Sequence, residues 1–180
     1  FDSIKDLTGL EYAKNLTFLK IYSGHVSDIS VVANMPKLEV INFFNNQITD
    51  ISPMRRLSQL EYVNLSFNQI EDISPLQNSV NITDLFIKHN QISDITPLQY
   101  MHNMERLYSG ENLINDISSL ENLINLELLE IEDNQINDIS VVENMTNLKT
   151  LRAYRNLIND ILPLQSLTNM EVLLLSDNPV

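Results

Sequence analysis

Carboxylates recur at a fixed spacing in this chain, a pattern that could hold calcium or form a row of acid–base catalysts. An aspartate returns every 22 residues, at Asp6, Asp28, Asp50, Asp72, Asp94, Asp116, Asp138 and Asp160. No glycine-rich calcium loop accompanies these residues. An aspartate two residues before Ser or Thr can accept backbone N–H bonds in a turn. We therefore predict that this column is structural.

A second candidate site consists of His89, Glu111 and Asp133, which follow one another at the same spacing. If successive 22-residue units stack, these side chains stand about 5 Å apart in a column, and a divalent metal could bridge them. Arg155 continues the column, however, and any stacked repeat of this kind produces such columns. We therefore predict no metal site and no cofactor.

Catalysis and nucleic-acid binding are disfavoured by the composition. The chain has three glycines and no cysteine, so it lacks a phosphate-binding loop and a cysteine nucleophile. It also contains no nucleophile elbow and no H-E-x-x-H sequence. A formal net charge of −13 repels phosphate backbones and anionic lipid head groups. We predict that the protein is not an enzyme, binds no nucleic acid and does not insert into membranes.

The spacing comes from an internal repeat, which must position every side chain named above. A register that starts at Leu16 returns every 22 residues without insertion or deletion, with further starts at Leu38, Leu60, Ile82, Met104, Leu126, Leu148 and Met170. Positions 4 and 11 of this register are aliphatic in every repeat. Position 9 is Asn in seven of eight repeats, and Gly24 is the exception. An amide at this position can pair backbone groups of adjacent units.

One unit of this length cannot bury its own apolar edge, so successive units must stack. The alternation at positions 3 to 7 predicts short strands that lie side by side in a parallel sheet. Right-handed crossovers are the expected connection. Ser or Thr followed by Pro is typical of a helix N-cap followed by the first helical residue, and occurs at Ser52-Pro53, Ser74-Pro75 and Thr96-Pro97.

These features predict an α/β repeat fold, a right-handed leucine-rich-repeat solenoid of eight 22-residue coils. Its parallel β-sheet is concave, and its convex side carries short helices or 3₁₀ turns. We assign residues 1–15 to the end of a preceding repeat and residues 16–180 to the repeat domain. End caps normally shield the core of a solenoid, and we expect them to be absent from this segment.

With a D-I-S-P-L sequence after N-x-I, the chain resembles the internalin-type, SDS22-like class of bacterial leucine-rich repeats. The segments 46–53 and 90–97 look like internalin repeats, and segment 12–16 resembles their typical start. The resemblance covers essentially the whole chain. It implies a secreted or wall-attached adhesin or binding module that holds a host or nutrient protein on its concave face.

If positions 4 and 6 point inward, positions 3, 5, 7 and 8 face the ligand. Eight of the twelve aromatic residues fall on these outward positions, whereas Phe43 alone occupies an inward strand position. Strand propensity would place aromatics on both faces. Contiguous exposed aromatics usually mark a recognition surface. The predicted ligand contacts are Phe18, Tyr22, Phe44, Tyr62, Phe67, Phe86, Tyr108, Glu130, Glu132, Arg152, Tyr154 and Arg155.

Charge on this face is arranged in zones. Lys20, Lys88 and Arg106 interrupt the aromatic stretch, an acidic cluster follows, and Arg152 and Arg155 lie beyond it; the cluster consists of Glu111, Glu130, Glu132 and Asp133. Such zones could orient a partner with a complementary pattern, or they could be a merely solvated surface.

Three functions remain compatible with the sequence. The favoured one is a monomeric, protein-binding domain of a bacterial secreted or cell-surface protein. The alternatives are an intracellular SDS22-like scaffold that regulates a phosphatase, and a passive spacer in a multidomain surface protein. Ser109 and Ala153 replace bulky aliphatics at inward position 6, so we also expect looser packing at these two coils.

Overall fold

The computed structural model describes residues 4–180, and its central feature is one sheet of eight parallel strands in sequence order. Each strand is three residues long and covers positions 3 to 5 of its coil. Neighbouring strands pair at an offset of 22 residues, as in Leu19 beside Ile41. The strands are β1 (Phe18–Lys20), β2 (Val40–Asn42), β3 (Tyr62–Asn64), β4 (Asp84–Phe86), β5 (Arg106–Tyr108), β6 (Leu128–Glu130), β7 (Thr150–Arg152) and β8 (Val172–Leu174).

Each strand alternates along the chain with a short 3₁₀ helix on the opposite side of the coil. The helices are η1 (Leu10–Tyr12), η2 (Ser30–Asn34), η3 (Ser52–Arg56), η4 (Ser74–Leu76), η5 (Thr96–Leu98), η6 (Ser118–Leu120), η7 (Ser140–Asn144) and η8 (Leu162–Ser166). The predicted solenoid is therefore confirmed. Of the segment assigned to a preceding repeat, residues 1–3 lie outside the described part.

In helices η2 to η8, the aspartate column lies two residues before the first helical residue. The Oδ1 atom of Asp50 accepts the N–H of Ser52 at 2.7 Å. The same bond recurs at all eight aspartates of the column. The expectation that Ser or Thr caps the helix with its own side chain is wrong. In η3 the helix begins at Ser52, and Asp50 supplies the oxygen that satisfies its backbone N–H.

The apolar columns form one continuous hydrophobic core. Inward positions 4 and 6 are closed to solvent in the middle coils, as Ile41 and Phe43 show with no exposed area. Five methionines are fully buried, and Met170 packs partly buried against the core; the five are Met35, Met54, Met101, Met104 and Met145. In the last coil Leu173 is 42% exposed, because β8 has a neighbouring strand on one side only.

The Asn column forms a ladder between coils. The Nδ2 atom of Asn112 donates to the carbonyls of Ile87 and Ser109, each at 3.0 Å, and to that of Gly110 at 3.2 Å. Its Oδ1 atom accepts the N–H of Ile92 at 3.0 Å. One side chain therefore satisfies backbone groups of two adjacent coils, as predicted. Within residues 4–180, no helix is long and apolar enough to cross a membrane.

Candidate protein-binding face

All twelve predicted contact residues lie at positions 3, 5, 7 or 8 of their coils, on the concave side of the sheet. Their exposure differs widely along the face. Phe18 and Tyr22 in the first coil are 51% and 64% exposed, whereas Tyr62, Phe86 and Tyr108 are half-buried. The aromatic side chains of the first coil are therefore exposed, whereas those of the central coils are packed.

A row of three rings crosses the middle of the face. The Tyr62 and Phe86 ring centroids are 5.1 Å apart with the planes tilted by 42°. The Phe86 and Tyr108 rings are stacked, with centroids 4.2 Å apart and an angle of 9°. We call Tyr62, Phe86 and Tyr108 the central ring row. It spans coils three to five, and its outer edges are available for a ligand.

A second row runs beside the first, at the strand exits. The Phe44 and Phe67 rings meet edge-on at 5.2 Å, and the His89 ring lies 4.5 Å from the Phe67 ring at 30°. We call Phe44, Phe67 and His89 the exit ring row. Sequence reasoning considered His89 as a metal ligand and missed this stacking. Its position in the same column as Phe67 was the available signal.

Two of the three remaining predicted aromatic residues, Phe18 and Tyr154, interact with cations. The Nζ atom of Lys20 lies 4.8 Å from the centroid of the Phe18 ring. The guanidinium of Arg155 lies 5.6 Å from the Tyr154 ring. The predicted single stripe is thus two ring rows in the central coils, together with separate aromatic residues toward each end.

Most charged side chains of the predicted zones form ion pairs with one another. Arg152 binds Glu130 at 3.1 Å, and Arg155 binds Asp133 at 3.3 Å. Arg106 binds Asp84, its neighbour on β4. Each pair joins adjacent coils along one column. The zones therefore supply a fixed pattern of short charge pairs instead of blocks of one sign.

Two predicted contacts are less accessible than the sequence suggested. Glu130 is 7% exposed and Glu132 is 1% exposed. The Nζ atom of Lys88 reaches across coil five to Glu132 Oε1 at 2.6 Å and also lies 3.2 Å from Glu111 Oε1. These contacts hold the carboxylate of Glu132 against the sheet.

Burial and these neighbours shift the titration of the cluster. Burial raises the pKa of Glu130, and the negative charge of Glu132 adds to the effect. Burial opposes the charged form of Lys88, but the hydrogen bonds and charges of Glu132 and Glu111 outweigh it and raise its pKa. For Glu111, burial is likewise outweighed by bonds to His89 and Lys88, so its pKa is lowered. The carboxylate of Glu111 is therefore ionised at neutral pH.

The column that was weighed as a metal site, His89, Glu111 and Asp133, is held together by internal pairs. His89 Nδ1 lies 2.8 Å from Glu111 Oε2, and Asp133 pairs with Arg155. Among residues 4–180, no group of three or more His, Asp or Glu side chains is placed to hold a metal ion.

Comparison with known proteins identifies relatives of this repeat. A family model of leucine-rich repeats, in two copies, matches residues 36–78. The crystal structure of an internalin C2 from Listeria monocytogenes is 36% identical, and the match covers 90% of this chain and 72% of that one, with a TM-score of 0.85. The chain belongs to the internalin family. Comparison with curated protein sequences gives no match.

Other structures extend the similarity beyond this internalin. A second internalin from Listeria monocytogenes, inlF, is 32% identical with a TM-score of 0.86; the match covers 94% of this chain and 57% of that one. The plant peptide hormone receptor RGFR1, in complex with RGF2, is 20% identical with a TM-score of 0.84, over 94% of this chain and 29% of the receptor. The receptor shares the fold alone. Leucine-rich repeats of this fold are typically non-enzymatic scaffolds that bind proteins.

Within this internalin chain, position 8 has an unusual backbone. All eight position-8 residues have φ between 52° and 58°, in the left-handed region. Asn45, Asp133 and Asp177 tolerate this conformation well, whereas Phe67 and Arg155 do not. The stacked backbone imposes the conformation on every coil, whichever side chain the coil presents there.

Proposed function

We propose that this chain is the protein-binding domain of a bacterial secreted or cell-surface protein, an adhesin or a binder of host or nutrient proteins. Its ligand lies on the concave face, against the two ring rows. The observation that carries this proposal is the pair of ring rows, each with three rings in contact, which together span coils two to five.

Rings that pack against one another are suited to recognition. Because the stacked Phe86 and Tyr108 rings support each other, a ligand that binds them immobilises little additional side-chain motion. Tyrosine and phenylalanine offer large contact areas, and such anchors contribute roughly 2 kcal/mol or more each when a partner buries them. Ring rows across several coils therefore favour an extended protein surface over a small molecule.

The paired charges support specificity. Arg106 with Asp84 flanks the central ring row on one side, and Lys88 with Glu111 lies toward the exit ring row. A partner has to match this pattern to avoid leaving charges unpaired, so the pairs define orientation more than affinity. We also propose that the domain acts as a monomer and that it acts outside the bacterial cell. The similarity to two Listeria internalins supports the second of these points.

Site-specific photocrosslinking tests the proposal. Benzoylphenylalanine replaces Tyr62 on the concave face in one variant, and Tyr100, which is 58% exposed and precedes the next strand on the convex side, in a matched control. Each variant is irradiated with serum proteins and with solubilised surface proteins of animal cells. We expect a discrete protein adduct from position 62 and none from position 100.

A second arm examines the rings themselves. Phe86→Ala together with Tyr108→Ala should abolish the adduct formed from position 62, while circular dichroism and thermal unfolding remain cooperative. Adducts from position 100 alone, or adducts from position 62 that persist in the double variant, would contradict binding by the ring rows.

A further inference from the structure

Gly110 creates a gap in the concave face that the backbone does not require. Position 7 carries a side chain in the other seven coils, from Tyr22 to Ser176. The φ of Gly110 is not in the left-handed region, where glycine is favoured; among residues 4–180, Gly9 is the glycine found there. A Cβ at position 110 would lie 2.5 Å from both Cδ and Oε1 of Glu132. A side chain at position 110 would therefore have to displace this carboxylate.

The carboxylate of Glu132 fills the gap, and only one of its two oxygens has a hydrogen-bond donor among the described residues. Its Oε1 accepts Lys88 Nζ at 2.6 Å, a contact that passes over coil five. Its Oε2 is buried and has no hydrogen-bond partner among the described residues. A carboxylate can accept several donors, and a buried acceptor without one costs free energy. Among residues 4–180, no protein group donates to this oxygen.

The surroundings of the gap favour a positively charged donor. Three carboxylates, Glu111, Glu130 and Glu132, face two cations, Lys88 and Arg152, in the pairs that surround the gap. Burial followed by the charge of Glu132 raises the pKa of Glu130, so the negative charges repel each other. An added cation would relieve this repulsion.

We infer that the Glu132 carboxylate, which occupies the Gly110 gap, is a subsite for a lysine or arginine side chain of the protein ligand, whose N–H group donates to it. The inference rests on the proposed function in assuming that a protein occupies the concave face. An N–H donor suits the gap better than a metal ion, since no metal-holding group of side chains occurs among residues 4–180.

Lys88 provides a route for the incoming side chain. It lies near two carboxylates, 2.6 Å from Glu132 and 3.2 Å from Glu111, and its own side chain is 26% exposed. A ligand cation can take its place at Glu132 while Lys88 keeps Glu111. The exchange conserves the number of ion pairs and adds a donor for Oε2.

The three glycines of the chain give a direct readout. A sample labelled with ¹⁵N-glycine shows one amide signal each for Gly9, Gly24 and Gly110. Titration with butylammonium and with ethylguanidinium should shift the Gly110 signal saturably and leave the other two unmoved. Tetramethylammonium carries the same charge without an N–H donor, and it should shift all three signals only as sodium chloride does.

Variants locate the subsite. Glu132→Gln should weaken butylammonium binding by about tenfold or more. Glu127→Gln, at an exposed carboxylate paired with Lys149, should leave it unchanged. Gly110→Ala removes the reporter, so its binding is followed by calorimetry, and it should lose binding because the Cβ displaces the carboxylate. An unmoved Gly24 signal shows that the Glu132→Gln variant is folded.

Three results would overturn the inference: equal shifts with tetramethylammonium, unchanged butylammonium binding in Glu132→Gln, or no saturable shift of Gly110. Because these probes are small molecules, the outcome is independent of the crosslinking result. Cation binding at Gly110 without protein adducts at position 62 would reject the proposed function and retain the subsite. Adducts without cation binding would reject the subsite alone.

Discussion

Arg155 adopts a left-handed backbone conformation that its side chain disfavours, with φ of 53°. The left-handed region costs an ordinary L-residue about 1 kcal/mol or more, and Asn tolerates it better. Its side chain is 61% exposed, so its ion pairs with Asp133 and Asp177 and its contact with the Tyr154 ring each contribute little. These contacts therefore offset the strain at this residue only in part.

Replacement of this residue tests the strain. We expect Arg155→Asn to raise the midpoint of urea unfolding at pH 7. Lys149→Asn removes another exposed, paired cation from a position without left-handed backbone, and it should not raise the midpoint. Equal effects of the two substitutions would mean that charge, rather than backbone strain, controls the change.

Ser109 is the second residue-scale case, because the sequence predicted loose packing there. Its side chain is fully buried, and its Oγ donates to the Glu130 carbonyl at 3.2 Å. We expect Ser109→Ala to cost about 1 kcal/mol in unfolding free energy. Ser109→Leu should cost about 1–3 kcal/mol by overpacking. A urea unfolding series measures both, and a Leu variant more stable than the wild type would show that a cavity outweighs the hydrogen bond.

At the scale of the element, the Asn ladder ties each coil to its neighbour. Asn112→Ala removes the acceptor of the Ile92 N–H and one of the two amide donors to each of the Ile87 and Ser109 carbonyls, so we expect a loss of roughly 2 kcal/mol. Asn125 makes one exposed bond to the His102 carbonyl, and Asn125→Ala should cost about 0.5 kcal/mol or less. Chemical unfolding of both variants provides the comparison, and similar losses would contradict a special role for the ladder.

The strands, the helices and the core were predictable because each depends on residue types that recur at the same repeat positions in every coil. Asn112 and Asp50 make the same bonds as their equivalents in other coils, so spacing alone located them. The burial of Glu132 was not predictable in this way. It depends on the absence of a side chain at Gly110 and on the contact that Lys88 makes across an intervening coil. Neither feature recurs in the other coils, so the repeat spacing does not predict it. The stacking of His89 on Phe67 likewise required side-chain positions.

At the scale of the whole molecule, acid should destabilise the fold through the aspartate column. Bonds from Thr or Ser two residues later lower the pKa of four of these aspartates, Asp6, Asp50, Asp94 and Asp116. A carboxyl group whose pKa is lowered in the folded state stabilises the fold at pH values above its unfolded pKa of about 3.9. This contribution is lost as the pH falls below that value. Glu130 has the opposite effect, because burial raises its pKa. Ionised Glu130 therefore destabilises the fold at neutral pH, and its protonation at lower pH removes this destabilisation.

We therefore expect unfolding free energy to rise slightly as the pH falls from 7 through the raised pKa of Glu130, and to drop below about pH 4. Glu130→Gln should remove the rise and keep the drop. Urea unfolding at closely spaced pH values measures both limbs. A drop that begins near neutral pH would contradict the assignment to the aspartates.

The constant offset between neighbouring strands has a consequence for the gene. The pairs Leu19 with Ile41 and Leu129 with Leu151 are equivalent, because both have the same 22-residue offset. Recombination between two repeats in register therefore deletes or duplicates whole coils, and every residue keeps its position in the repeat. The hydrogen-bonded ladder between coils forms again across the junction, while the set of side chains on the concave face changes. Such an architecture allows the length and the side chains of the concave face to change by exchange of existing coils, with the fold unchanged.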